Sequence, residues 1–583
     1  MKRILRNIYL LLGLSAFIGT TSCDKFLTID PEDTFTKDNY WTSEANVKLY
    51  AWKFYDLFLG YGNGTGTSSE FYFQNSPTNG CVNISDDLAN ATFLKYNTTS
   101  VTTSSEWNNY YNQIRAANVM LEKLPTVSMS DEAAKHWQGV ARFFRAYCYF
   151  SLVQRYGDVP YIDKAASYTD DAGIYIPRTP RATVMAKVIE DLTFASENMR
   201  VNDGAAAINK YAAYALLSRA ALFEGTYVKY HGIGSGAEYL TVAKNAADAI
   251  IASAKYSIGS DFKAVYNSID LSSGAAKGEV IFFKKYLPAV LMHSIQSYTN
   301  TSSAINGLTK AAAESYVCSD GLPISQSSKY KGDNSLSDVL TERDKRMSAV
   351  VDAQGYGYAD KTLGGLNSST GYVICLYNNW IPPTGKPVTE NTTNGQNHID
   401  APIFTYAEVL LNYAEACAEL GACTQADLDK SVNKLRARAG LPNLTISGSD
   451  VTVNGVVIND PKRTSTLESI GGVVSPLIWE IRRERRAELM TWTFIRYYDL
   501  MRWNKGEYLD SSKNPDVILG AKLVGVTLKN TKVNADGYIL PYTSTSVRTF
   551  ESPKNYLNSI PLSEITLYAT EGVDLTQNPG WNK

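Results

Sequence analysis

Two stretches of the chain set aromatic rings beside planar polar side chains outside any helical period. The first, Ser68 to Ser105, is rich in Asn, Ser and Thr and carries Tyr72, Phe73, Asn83, Asp86, Asp87 and Phe93. The second lies within the aperiodic region from Leu287 to Pro402 and holds Tyr377, Asn378 and Trp380, the tryptophan on the stiff segment WIPP. That mixture suits a sugar. The C–H faces of a pyranose or furanose bury apolar area on a ring while the hydroxyls bond to Asn, Asp, Gln or Arg. Long loops of this kind in a compact protein tend to carry function. Trp107, at the helix start bordering the first stretch, and Cys318, just before the turn DGLP, complete the candidate set.

Catalysis finds less material. The four histidines (His136, His231, His293, His398) are scattered, and neither HExxH nor GxSxG occurs. A glycosidase needs two carboxylates flanking the scissile bond, and no spacing among the 58 acidic residues singles out a pair. Cys81, Cys148, Cys318, Cys375, Cys417 and Cys423 form no CxxC pairing, so neither a zinc site nor a dense disulfide framework is indicated. No cofactor or metal is implied. GYGNGTG (60–66) is followed by no GK[ST] and is no phosphate cradle. The formal net charge of -2 provides no basic surplus for nucleic acid or an anionic membrane. The 39 tyrosines suit wet interfaces, sugar stacking or helix packing.

The elements that must position these residues read as mainly helical. Ser130 can cap a helix whose first turn holds Asp131 and Glu132, and Val140, Phe143, Phe144, Tyr147, Cys148 and Leu152 share one face. Gly157 and Pro160 end it. Further helices are expected over Asp38–Leu59, from Trp107, from a Thr179 cap with Pro180 at the first position, and over Lys210–Lys229 and Leu240–Ala254. Glu279–Lys285 reads as a strand. Helical order returns at Pro402, Thr424 and Asp427 resemble a capping box, and Gly440 terminates the next helix. Ser475-Pro476 starts a helix through IWEIRRERRAELMTWTFIRYYDLMRWNKG, in which Glu480, Arg483, Glu484, Arg485 and Glu488 should satisfy one another at helical spacing. The spacing suggests tetratricopeptide-like helix pairs without the strict repeat consensus.

At the start, Lys2, Arg3 and Arg6 precede the apolar run Ile8–Ile18, and Thr20-Thr21-Ser22 lead into Cys23. This resembles a bacterial lipoprotein signal over residues 1–22, with Cys23 the lipidated first residue, although Thr20 stands where the strict pattern has leucine. The apolar run is too short to span a bilayer as a helix.

The stretch FFRAYCYFSLVQRYGDVPY resembles the signature helix of the SusD/RagB family, surface nutrient-binding lipoproteins of Bacteroidetes. PIFTYAEVLLNYAEA, LRARAGLP, IRRERRAELMTWTFIRYYDLMRW and the closing IPLSEI with QNPGW resemble further family motifs, in the family's order and to the chain's end. The resemblance implies one SusD-like domain over 23–583: a helical half over about 23–260 and a SusD/RagB half over about 280–583. It implies a superhelical scaffold of tetratricopeptide-like helix pairs, with long loop excursions and minor β structure. It also implies a non-catalytic lipoprotein on the outer face of the outer membrane. Such a protein captures oligosaccharide or polysaccharide for a SusC-like TonB-dependent transporter. The RagB branch makes a peptide ligand the alternative, and a surface glycoside hydrolase is the third reading. No family motif assigns ligand residues one by one, so the candidates stay those of the loops.

Overall fold

The computed structural model describes residues 40–62, 85–90, 95–165, 171–204, 206–300, 306–353, 368–379, 393, 395–492, 495–525, 532–541 and 547–582. Helix starts in the first half are set by local capping. After α1 (Glu44–Ala51) come α2 (Ser105–Lys123), α3 (Asp131–Tyr156), α4 (Arg181–Asn198), α5 (Lys210–Tyr230) and α6 (Ala237–Ala252). Ser104, Ser130 and Asn209 each accept a first-turn N–H, the Ser130 hydroxyl from Ala133 at 3.2 Å. Gly157 closes α3 at φ 72°, as its sequence position requires.

Two boundaries differ from expectation. Within the described part of Asp38–Leu59, residues 40–59, the chain forms α1 and a 3-10 turn over Trp52–Leu57. Thr179 does not cap α4. It exchanges backbone bonds with Val159, and the Asp158 carboxylate takes the Arg181 N–H at 2.7 Å instead.

From α2 to α6 each helix packs on the next, which builds the superhelical stack. The α5–α6 approach is close enough to require glycine. A Cβ on Gly236, already at φ +67°, would stand 2.0 Å from the Gly225 carbonyl oxygen. The stack continues from α6 onto α7 (Tyr406–Glu419), so the second half closes on the first. One main apolar cluster runs from Trp41 to Leu575.

Sheet structure is slight among the described residues. β1 (Leu88–Asn90) lies antiparallel to β3 (Asn306–Leu308) with Leu88 opposite Leu308, and β2 (Val280–Lys284) to β4 (Ala401–Thr405) with Lys284 opposite Ala401. The region read as irregular contains short capped helices, Lys310–Ser315 behind Thr309, Leu336–Leu340 behind Ser335 and Lys345–Val350 behind Asp344. Each is too brief to print a helical period on the sequence. Beyond α7 come α8 (Val432–Ala439), α9 (Pro476–Glu488), α10 (Ile495–Arg502) and α11 (Leu562–Thr570). The helix expected from Ser475 onward is thus broken. Thr491 sits at φ 63°, where a β-branched residue cannot continue a helix, and α10 starts anew.

The charged run on α9 was expected to satisfy itself, and only Arg483 and Glu480 do so, at 3.1 Å. The others reach across the molecule. Glu484 and Glu488 hold Arg346 at 2.5 and 2.8 Å, Arg482 reaches Glu419 at 3.2 Å, and Arg485 reaches Asp499 at 2.8 Å. Arg502 holds Glu415 at 2.6 Å. The run is a buried junction between elements, not a solvated face.

Candidate functional site

The first loop stretch enters the described structure at Ser85. There Asp86, with no exposed surface, meets two arginines of the charged junction. Arg496 on α10 donates to both Asp86 carboxylate oxygens at 2.7 Å, and Arg486 on α9 lies 3.0 Å from one of them. Arg486 also donates to Asp87 at 2.8 Å. Burial opposes ionisation of Asp86, but the two guanidiniums outweigh it and hold its carboxyl down at about 2. Asp87 moves the other way, raised by burial and by Asp86 beside it. The Thr309 hydroxyl donates to the Asp86 carbonyl at 2.6 Å, which ties β3 to the same clasp.

Arg486 and Arg496 are at once the wall of a cavity of about 460 Å³. Its other walls include the DGLP turn, the short helix Lys310–Ser315 and the segment 460–468, a 3-10 turn over Pro461–Thr464 leading into the helical turn Thr466–Ser469. Three half-buried rings line it, Tyr330, Trp479 and Tyr508. The polar edges of two are fixed: the Trp479 indole N–H donates to Asp460 at 3.1 Å, and the Tyr508 hydroxyl donates to Glu468. At the rim, Glu314 is held between Lys310 at 2.5 Å and Lys462 at 2.7 Å, and Lys310 also reaches Asp516 at 3.1 Å.

Apolar ring faces framed by oriented donors and acceptors can hold a polyhydroxylated ring without reorganising. A general acid would need a carboxyl raised toward neutrality. Glu314 and Asp460 are displaced the opposite way: burial acts against ionisation, but Lys462 and Lys310 around Glu314, and Arg483 beside Asp460, outweigh it. Among the described residues no group of three or more His, Cys, Asp or Glu side chains is placed to hold a metal ion.

Several candidates prove to be support. Asp86 was expected to meet ligand, yet its carboxylate is spent on Arg496 and Arg486 and it has no open surface. Tyr377 is likewise fully buried, its hydroxyl donating to the Thr491 carbonyl at 3.0 Å and its ring edge-on to Tyr61 at 5.3 Å. Asn378 is buried beside it. Trp107 is core, packed edge-on to Tyr156 at 5.0 Å. Cys318 is buried in the turn, its N–H donating to the Leu322 carbonyl at 2.9 Å, and touches the cavity only through the turn it closes. Cys23, Tyr72, Phe73, Asn83, Phe93 and Trp380 lie outside the described residues.

With this geometry in place, comparison with known proteins decides the family. A sequence profile described as the SusD family matches residues 262–581, more than half of the chain. The chain belongs to the SusD family. A second profile, described as starch-binding associating with outer membrane, matches residues 25–222. SusD-like protein P38 of Formosa agariphila is 23% identical over 525 residues, 87% of this chain and 93% of that protein. A SusD-like carbohydrate binding protein from Bacteroides fragilis superposes with a TM-score of 0.66 at 21% identity, covering 91% of this chain and 99% of the other. A laminarin binding SusD-like protein gives 0.56 at 18% identity, over 93% and 100%. The mainly helical, superhelical fold is that of these SusD-family structures.

The loop composition did not point to the rings of this SusD-family cavity. One signal was present. Trp479 is followed by arginines at Arg482, Arg483 and Arg486, three, four and seven positions on, and so stands on the charged face of α9 rather than with Ile478 and Ile481. A tryptophan on the polar face of a helix is a ring with somewhere to go.

Proposed function

We propose that the protein is a non-catalytic oligosaccharide-capturing lipoprotein. It takes the glycan in the 460 Å³ cavity and passes it to a SusC-like TonB-dependent transporter, held at the outer membrane by lipid on Cys23. The observation that carries this reading is the set of three half-buried rings, Tyr330, Trp479 and Tyr508, around a cavity whose polar groups are already oriented. The volume falls in the range of small-ligand pockets. Support also comes from the names of relatives, a carbohydrate binding protein and a laminarin binding protein, and from the outer-membrane association in the second profile's description. Two acyl chains or more, as a lipoprotein N-terminus supplies, make a stable anchor.

The test is calorimetric titration of residues 24–583 against a panel of oligosaccharides and polysaccharides, with Tyr330→Ala, Trp479→Phe and Trp380→Ala alongside. One glycan should bind, and Tyr330→Ala should weaken it about tenfold, which corresponds to about 1.4 kcal/mol. Loss on Trp380→Ala alone would move the site to the second loop stretch. Binding of peptide pools with no glycan bound, or release of reducing sugar by the purified protein, would overturn the reading.

A further inference from the structure

Among the described residues six cations line the 460 Å³ cavity, and each meets a carboxylate of the protein itself. Arg486 and Arg496 close on Asp86 and Asp87. Arg483 lies between Asp460 and Glu480, the latter at 3.1 Å, and Arg482 reaches Glu419 at 3.2 Å. Lys462 meets Glu314 at 2.7 Å. Lys505 meets Glu468 at 2.9 Å and donates besides to the carbonyls of Glu468 and Ile470 at 2.7 and 2.6 Å. The remaining acid of the lining, Asp516, has Lys310 at 3.1 Å.

What the wall has left to give is hydrogen bonding. Arg496 spends Nε and Nη2 on the Asp86 carboxylate, and Arg486 spends the same two nitrogens on Asp87 and the Asp86 carbonyl. Nη1 of each arginine, with the hydroxyls of Tyr330 and Ser325, has no hydrogen-bond partner among the described residues. Arg482 is more enclosed: the rings of Tyr230 and Trp503 stand 4.7 and 4.2 Å from its guanidinium, and its unbonded Nε is buried out of a ligand's reach. An anion entering this space meets Glu314, Asp460, Glu468 and Asp516 in the wall. To pair, it must draw a cation away from an acid of the protein. A sugar hydroxyl carries no such cost, since an N–H whose charge is balanced from behind donates to it with every pair intact.

We propose that the cavity selects an uncharged glycan, a chain of neutral hexoses or pentoses, and turns away uronic-acid and sulfated chains. The inference rests on the capture reading above and narrows it to one class of substrate. Rings supply the apolar contact in either class, so the choice falls to the balance of charge in the wall.

The probes are laminarihexaose, maltohexaose, mannohexaose and xylohexaose on the neutral side, and hexagalacturonate and a carrageenan hexasaccharide on the anionic side. Each is titrated calorimetrically into residues 24–583. The tightest binder should be neutral, by about tenfold or more over either anion. Its affinity should change less than about twofold between about 50 and 500 mM sodium chloride, because no net charge is exchanged on binding. Glu314→Gln uncovers Lys310 and Lys462, and at low salt should raise the affinity for hexagalacturonate relative to the neutral glycan by about threefold or more. Thermal melting shows whether this variant folds, and Asp516→Asn, on a side chain 35% exposed, makes the same comparison if it does not. An anionic glycan that binds tightest, weakens with salt and is lost on Tyr330→Ala overturns the neutral class and leaves capture in this cavity standing. No relative gain for hexagalacturonate from either variant overturns charge balance as the cause. Binding of no glycan at all fails the capture reading, and this one with it.

Discussion

Asp86→Asn separates a ligand contact from a structural clasp. The substitution keeps the shape and removes the charge on which Arg496 and Arg486 close. The Asp86 carboxylate has no exposure, whereas Arg486 and Arg496 keep 10% and 13% of their side-chain surface, so water softens the loss. Breaking a buried pair from one side costs about 3–5 kcal/mol, and the partial exposure places this case near 3. Against a typical total stability of about 5–15 kcal/mol, that is a large fraction. Urea unfolding followed by circular dichroism measures it. Adding Arg496→Met should recover part of the loss, with a coupling of about 1–3 kcal/mol, because the second change removes the stranded cation. The pH dependence has a definite sign. With the folded carboxyl at about 2, below its ordinary 3.8, the contribution is complete above about pH 4 and disappears as the pH falls through 2. An Asp86→Asn protein within about 0.5 kcal/mol of its parent would refute the clasp.

Three further outcomes follow from other parts of the structure. His293 is held neutral, Nδ1 accepting from the Ile295 N–H at 3.2 Å and Nε2 facing the Ile399 carbonyl at 2.9 Å, and burial pushes it down from 6.5 to about 3. Only the unfolded chain takes up its proton, so stability should fall as pH drops below 6.5, by about 3 kcal/mol at pH 4; unfolding free energies across that range, compared with His293→Asn, check it. Tyr377→Phe should cost about 1–2 kcal/mol in urea unfolding by stranding the Thr491 carbonyl, and leave glycan affinity unchanged. Gly236→Ala should destabilise by at least about 2 kcal/mol, read as a lowered urea midpoint, since its new methyl meets the Gly225 carbonyl at a forbidden φ.

What could be read from the chain follows the distance over which each feature is decided. Ser130, Gly157 and the Thr424–Asp427 capping box act within a few residues and stand where the sequence puts them. The break at Thr491 was hidden. Thr491 is fixed by Tyr377, 114 positions away, and nothing in ELMTWTF announces a left-handed residue. Composition marked the polar stretches but could not tell a polar residue open to solvent from one that faces an arginine, as Asp86 does. Asp86 looked like a sugar contact for the same reason that it makes a good clasp: a short carboxylate on a loop. Of the rings that line the cavity, Trp479 and Tyr508 come from a helix and a 3-10 segment, where no loop signal marked them, and Tyr330 lies in the aperiodic region without a polar cluster to single it out.

The clasp also orders events during synthesis. α2 to α6 touch their chain neighbours and can stack while the rest is still being made. Asp86 must wait for Arg496, 410 positions later, and Glu415 for Arg502, 87 positions later. Until α9 and α10 emerge, the carboxylates of the first loop stay hydrated and their loop unlatched. A chain in which α9 and α10 have not yet docked therefore holds a helical stack that lacks the Arg486 and Arg496 wall of the cavity. The wall that the rings face is completed in the final stage of folding, when arginines from the last hundred or so residues displace water from acids laid down at the beginning.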